Sequence, residues 1–376
     1  MDYDKIVKDF ENNISLEEIS KKHKITLPSL KHKLVESGLL IETVKTIKKP
    51  TEGMFVKGTS TLVDSEGNVK LQWIKLNKNE EDLFELMEKS ISEITKDIKP
   101  VKQIRSPLSK TLNKDLLTNY IVTDTHLGML AYAPETSKKV NTKIVYDNTL
   151  NALRLLIDRS VKSEVCIISD LGDELHSSDD KNRTNSGHVL DVDGRHVEIF
   201  SLAVKLKIEM IELALKKHKK VIYISVPGNH SEMVNVYLKA VLQAKFEGNK
   251  RLEIRCSPSI HQYHQFGKVL IGYTHTHTSK AIKLPEVMIA DNMDIISTTK
   301  FRYYHCGHHH SASLVDNSLC LVEHHRNLTN NDVWSQGMGF RTDKQMKSIT
   351  YHKEYGEYLR NTVSLVEVEE YIKKNL

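Results

Sequence analysis

At 376 residues, 39% hydrophobic and 27% charged, the chain describes a soluble globular protein with room for one large domain and a smaller one. No apolar run approaches the roughly 20 residues of a membrane span, and the acidic start MDYDKIVKDF is not a signal peptide, so a cytoplasmic protein is expected. The net charge of +5 is a weak bias toward polyanions, and the four cysteines, none in a CxxC pair, read as buried thiols rather than a disulfide or zinc framework.

Residues 4–40 read as three short helices in a module spanning 1–45. Ser15, with Glu18 three positions on, is a capping box opening SLEEISKKH. Ile25 falls in a tight turn, Thr26 and Pro28 start the third helix, and Gly38 ends it. That helix exposes Lys31, His32 and Lys33 with Leu30 and Leu34 inward, the layout of a helix-turn-helix whose last helix can enter a DNA major groove. A protein contact with a solvated charged face is the alternative, and the near-balanced charge of residues 1–45 does not separate the two. Within 46–98, Met54 to Leu76 alternates around the turn signal DSEGN, a β-hairpin. A helix follows from about Asn79 to Ile98, with Leu83, Met87, Ile91, Ile94 and Ile98 on one face. Residues 99–117 form a basic linker containing two prolines; its charge could follow a phosphate backbone, although a solvated linker is the plainer reading.

From 118 to 325 strands alternate with helices, expected at Ile144–Val161, Arg195–Lys217 and Glu232–Phe246, and short strands take over after Arg251. Five strands end in metal-ligand residue types, the edge where open α/β sheets keep their chemistry. NYIVTDTHLG ends on Asp124 and His126, and VCIISDLGDELH presents Asp173 after Gly172. KKVIYISVPGNHSE ends on Asn229 and His230, KVLIGYTHTHT supplies His275 and His277, and KFRYYHCGHHHS supplies His308, His309 and His310. Carboxylates with neutral imidazoles suit Mn²⁺, Fe or Zn²⁺ better than Ca²⁺. The set exceeds the about three protein ligands of one catalytic zinc. It suits two ions about 3.5 to 4 Å apart, with Asp173 as the natural bridge.

The order DTH, GDELH, GNH, a histidine after a strand, then GHHH resembles the calcineurin-like metallophosphoesterase superfamily across residues 118–325. The resemblance implies two packed β-sheets flanked by helices, a four-layer α/β/β/α fold, and two divalent ions, Mn²⁺ or else Fe or Zn²⁺. Asp124, His126, Asp173 and His310 would hold one ion; Asp173, Asn229, His275 and His308 would hold the other. His230 would contact the phosphate and protonate the leaving oxygen. Two positions depart from the usual pattern. His275 is followed by Thr276 and His277, so either histidine can be the ligand, with His275 preferred as the first after the strand. In GNHSE the acid comes one residue late, at Glu232, which leaves open what orients His230.

The long loop 175–194, following the bridging aspartate, is where substrate would be chosen. Arg183 and Arg195 are candidates for meeting phosphates; Asp179, Asp191 and Asp193 read first as loop caps, and His176 as a neighbour of the ions that binds neither. After Glu323 the sequence turns irregular and ends in charged helical segments, a C-terminal extension over 326–376. Its NLTNNDVW run, with LDVDGRH earlier, resembles phage and prophage members of the superfamily. The function expected is a DNA phosphodiesterase, or nuclease, in which the two ions activate a water. A protein or small-molecule phosphatase is the alternative, and a DNA-binding regulator a third reading. DNA is the expected partner; a membrane is not, and an ATPase partner or a homo-oligomer stays open.

Overall fold

The computed structural model describes residues 3–12, 14–36, 54–63, 69–78, 104 and 111–375, in two compact units divided between Glu85 and Leu86. In the first unit three helices, Tyr3–Glu11, Leu16–Lys22 and Leu27–Glu36, close on Ile6, Ile19, Ile25, Leu30 and Leu34. The capping box forms as expected: Glu18 N donates to Ser15 Oγ at 3.3 Å and Ser15 N to Glu18 Oε2 at 3.4 Å. Asp9 accepts from Lys22 Nζ at 2.9 Å and His23 Nε2 at 2.6 Å, tying the first helix to the end of the second. Lys31, His32 and Lys33 are exposed on the face opposite Leu30 and Leu34. The expected hairpin is present as β1 (Met54–Val63) and β2 (Val69–Lys78), paired antiparallel. The helix expected over 79–98 and most of the linker lie outside the described residues.

The second unit holds two sheets. One has six strands in the order β13-β12-β3-β4-β5-β6, where β3 is Asn113–Val122, β4 Ser163–Asp170, β5 Lys220–Ser225, β6 Leu252–Cys256, β12 Gln345–His352 and β13 Gly356–Ser364. The other runs β10-β11-β9-β8-β7, with β7 Gln262–Phe266, β8 Val269–Thr274, β9 Phe301–Cys306, β10 Ser313–Asp316 and β11 Leu321–His324. β3 to β6 are mutually parallel. Both faces of β3, β4 and β5 are buried over most of their length, which is why they read as largely apolar runs. Tyr120, Ile168 and Tyr223 pack outward under the helices Thr142–Arg159, His196–Lys217, Val234–Lys245 and Leu365–Asn375. Their neighbours Ile121, Ile167 and Ile222 pack inward on Val269, Ile271 and Tyr273 of the second sheet. The far face of that sheet is covered by the helix Leu284–Asp291 through Leu284 and Met288. The result is the expected two packed sheets with helices outside, α/β/β/α.

Two expectations need correction. β3 begins at Asn113, inside the stretch assigned to the linker. The region beyond 325 is no appendage of charged helices: β12 pairs antiparallel with β3 and with β13, completing the main sheet, and only Leu365–Asn375 is helical. β13 is an edge strand, and its exposed Tyr358, Arg360 and Thr362 give it the polar, charged character that protects open edges and hides them from pattern reading. All four cysteines are buried and free, and no described helix is long and apolar enough to cross a membrane.

Candidate metal centre

The loops leaving β3, β4, β5, β8 and β9 are folded onto one another through their backbones. Asp124 N donates to Gly172 O at 3.1 Å and His126 N to Asp173 O at 2.9 Å. His308 N donates to Asp124 Oδ2 at 3.0 Å, and His230 N to Asp173 Oδ1 at 2.8 Å. A Cβ at Gly228 would run into the Asp173 carboxylate, so the turn before Asn229 requires glycine. Five of the nine non-glycine residues with positive φ among the described residues are Asp124, His126, Asp173, His308 and His310. Each such conformation costs on the order of 1–3 kcal/mol and persists where surrounding structure over-determines it, typically at functional sites.

Two donor groups result. Ring nitrogens and a carboxylate oxygen of Asp124, His126 and His310 lie within 4.8 Å of one another, as do those of Asp173, His275 and His308. In the first, His310 Nε2 is 3.1 Å from Asp124 Oδ1 and 3.2 Å from His126 Nε2. In the second, His275 Nε2 is 3.1 Å from both Asp173 Oδ2 and Asn229 Oδ1. Ligands about 2.1 Å from a shared ion sit roughly 3 to 3.5 Å apart, so these spacings fit metal coordination. The groups adjoin: His275 Nε2 is also 4.0 Å from Asp124 Oδ1.

Electrostatics agree with a cation-binding role. Burial, then His230 and His310, push the His126 imidazole far below its usual range; burial and His275 push His308 down to about 4. Asp124 and Asp173 stay ionised although burial opposes it, because histidines surround them. Ionised carboxylates and neutral imidazoles are the states that bind metal. His275 is different. Burial lowers it, yet Asp173 and Asp124 raise it to about 9, while its Nδ1 is spent on the Leu171 carbonyl at 2.7 Å. The point where Nε2 meets two oxygens demands positive charge, and a divalent ion meets that demand with the ring neutral. His277 stands outside both groups, its ring 5.4 Å from that of His275.

His230 is oriented by a group the sequence did not suggest. Its Nδ1 donates to the His176 carbonyl at 2.6 Å, and a ring nitrogen of His230 lies within 4.8 Å of ring nitrogens of His126 and His176; Glu232 is exposed. Behind the turn, buried Glu174 accepts from Ser231 Oγ at 2.7 Å and Ser225 Oγ at 2.8 Å. Two of the acids of the 175–194 loop act as caps: Asp179 Oδ1 accepts from Lys181 N and Arg183 N, and Asp193 Oδ2 accepts from Thr142 N at 2.8 Å. Arg183 and Arg195 are exposed, and the structure gives neither guanidinium a contact with the centre. Lys31, His32 and Lys33 belong to the first unit.

The segment after β11, read as irregular, also borders the centre. Thr329 Oγ1 donates to the Thr125 carbonyl at 2.7 Å and Thr342 Oγ1 to the His310 carbonyl at 2.9 Å. Lys344 is pushed down to about 8 by burial, against the pull of Asp124 and Asp332. A further group of His305, Glu323 and His325 is buried elsewhere. There Glu323 Oε1 already accepts from Lys347 Nζ at 2.8 Å and Arg360 Nη1 at 2.9 Å, so its charge is compensated within the protein.

No family model matches the chain, and no curated protein sequence does. Among solved structures it is similar to a predicted phosphoesterase from Streptococcus pneumoniae TIGR4, at 10% identity over 66% of this chain and 98% of that one, TM-score 0.27. It is also similar to Vacuolar Protein Sorting 29 from Cryptosporidium parvum, at 10% identity over 67% and 97%, TM-score 0.31. A third is a novel archaeal phosphodiesterase, at 13% identity over 65% and 99%, TM-score 0.32. At these TM-scores the likenesses carry no argument, and what the centre can do is read from its own residues.

Proposed function

We propose that the chain is a phosphoesterase dependent on two divalent ions, Mn²⁺ or else Fe or Zn²⁺, and that its substrate is a DNA phosphodiester. The observation that carries this reading is the pair of adjoining Asp/His groups, Asp124–His126–His310 and Asp173–His275–His308, on loops at the carboxyl ends of parallel strands. Asp124, His126, Asp173 and His310 would hold one ion, and Asp173, Asn229, His275 and His308 the other. Such ions supply Lewis-acid polarisation of the phosphate and a water acidified toward neutrality. Asp173 would be the bridge, since Oδ2 faces His275 of one group and its charge also acts on Asp124 and His126 of the other. His230, with Nδ1 on the His176 carbonyl, would present Nε2 to the substrate; protonated, it can stabilise charge on a phosphoryl oxygen and release a proton to the leaving oxygen.

DNA as the partner draws support from the exposed Lys31, His32 and Lys33 on the third described helix, Leu27–Glu36, and from the basic stretch 99–114. Phosphate contact by Arg183 and Arg195 is part of the same proposal. The test is Mn²⁺-dependent hydrolysis of linear and circular DNA, single- and double-stranded, beside a chromogenic diester and monoester, with Asp173→Ala and His230→Ala as controls. DNA cleavage lost in both variants is expected. Turnover of the monoester alone would assign a phosphatase, and metal binding without turnover of any substrate would assign a regulatory protein.

A further inference from the structure

Residues 327–344 are not needed to hold metal, yet they are pinned to the loops that are. Thr329 Oγ1 reaches the carbonyl of Thr125, between Asp124 and His126, and Thr342 Oγ1 reaches that of His310. Asn327 ties the two ends together, donating to Thr329 O at 3.1 Å and accepting from Lys344 Nζ at 2.9 Å. Between the pins stands the short helix Val333–Gly337, capped by Asp332, whose Oδ1 accepts from Ser335 N at 2.8 Å. The turn behind it is fixed by Phe340 N on Ser335 O at 3.1 Å and Asn331 Nδ2 on Phe340 O at 2.6 Å.

This scaffold displays aromatic rings instead of burying them. Trp334 and Phe340 form an edge-to-face pair with centroids 5.8 Å apart, yet they are 63% and 38% exposed. Phe340 is two residues from Thr342, so its Cα lies within about 7 Å of the residue bonded to His310. Tyr132, 65% exposed, precedes the short helix Ala133–Thr136, which contacts the Trp334 helix. The exposed aromatics among the described residues are Tyr132, Trp334, Phe340, Tyr355 and Tyr358; three of the five therefore share this wall. One cation stands beside the rings. Arg341 is held by the carbonyls of Gln336 and Phe340 at 3.0 and 2.9 Å, Lys344 ends the segment, and the nearby Asp343 faces Arg326 at 3.5 Å.

We propose that this wall is a base-stacking platform: Trp334 and Phe340 receive an unpaired nucleobase beside the scissile phosphate, with the exposed Arg341 toward a neighbouring phosphate. The inference rests on the phosphoesterase reading and deepens it by naming the substrate class, a single-stranded or frayed polynucleotide. Rings held rigid and wet, next to a cation and a phosphate-handling centre, match what unpaired bases need, since every base offers a π-face and every linkage a charge. A fully paired duplex offers no free face to stack.

The chain has two tryptophans, so in a Trp73→Phe background Trp334 is the sole tryptophan and is excited selectively over tyrosine. It is titrated, with Mn²⁺ present, with phosphorothioate-linked oligothymidylate, an abasic strand of equal length and a covalently closed circular duplex. The platform predicts saturable quenching by oligothymidylate alone. Trp334→Ala should raise KM for single-stranded DNA about 10- to 100-fold, the range of one lost base stack. Its kcat should stay within about twofold and its hydrolysis of the abasic strand unchanged, while Trp334→Phe restores most of the affinity. Equal quenching by the abasic strand, or an unchanged KM, would overturn the proposal, as would Trp334-dependent self-association without quenching, which would give the wall to a second copy. Absence of hydrolysis on every strand would sink the phosphoesterase reading, and the quenching result would still decide the platform.

Discussion

Asp173 carries several functions on one side chain: it accepts the His230 backbone N–H, faces His275 and neighbours the Asp124 group. Its backbone sits at a φ of 52°, a conformation that glycine would adopt at lower cost but that must here carry a carboxylate. Glu174 beside it does a different task, holding Ser225 and Ser231 so that the turn bearing Asn229 and His230 keeps its place. Glu174→Ala would leave the buried Ser231 hydroxyl without its acceptor, at about 1–3 kcal/mol, while Ser225 Oγ keeps Asn235 Oδ1 at 2.6 Å. Thermal unfolding should show the loss, while Glu174→Gln should recover most of it; an unchanged Tm in the alanine variant would deny Glu174 this role. In the core, Lys207 pairs with Asp170, both almost fully buried. Lys207→Met would strand the carboxylate, and denaturant unfolding should register about 3–5 kcal/mol.

At the level of elements, Glu323 on β11 joins the two sheets by accepting from Lys347 of β12 and Arg360 of β13. Burial would raise its pKa, but His325, His305 and Lys347 hold it at about 2. The folded value is depressed, so the stabilisation is present above the unfolded value of about 4.3 and is lost as pH falls toward 2. Between pH 5 and 2 the wild type should lose roughly 3 kcal/mol from this group, and Glu323→Gln should flatten that part of the stability profile. A profile with the same slope in the variant would place the acid sensitivity elsewhere. The three strands concerned differ in how visible they were. β11 lies inside the stretch where strands were expected, whereas β12 and β13 were read as part of a helical tail. Lys347 and Arg360 are charged because they meet a buried glutamate on another strand, a pairing no local pattern contains.

Across the whole molecule, legibility followed burial. β3, β4 and β5 are covered on both faces and announce themselves as apolar runs ending in Asp124, Asp173 and Asn229, so the two-sheet architecture and the candidate ligands were visible from residue order. The wall at 327–344 was not, because its hydrogen bonds to Thr125 and His310 join residues some two hundred positions apart or across a sheet edge, and its rings face water. His176 was placed near the centre, but that its carbonyl orients His230 is a backbone fact that side-chain identity cannot encode. For the first unit, deletion of residues 1–45 tests the DNA-binding proposal: DNA affinity should fall while turnover of a small chromogenic diester persists. Unchanged DNA affinity would leave the three helices with another task.

The most direct measurement is Mn²⁺ titration of the metal-free protein by calorimetry, with hydrolysis of single-stranded DNA followed in parallel. Two ions per chain are predicted, with activity appearing as the second site fills, and Asp173→Ala should lose the second ion and the hydrolysis together. A single ion per chain, or hydrolysis undiminished in Asp173→Ala, would contradict the two-ion centre.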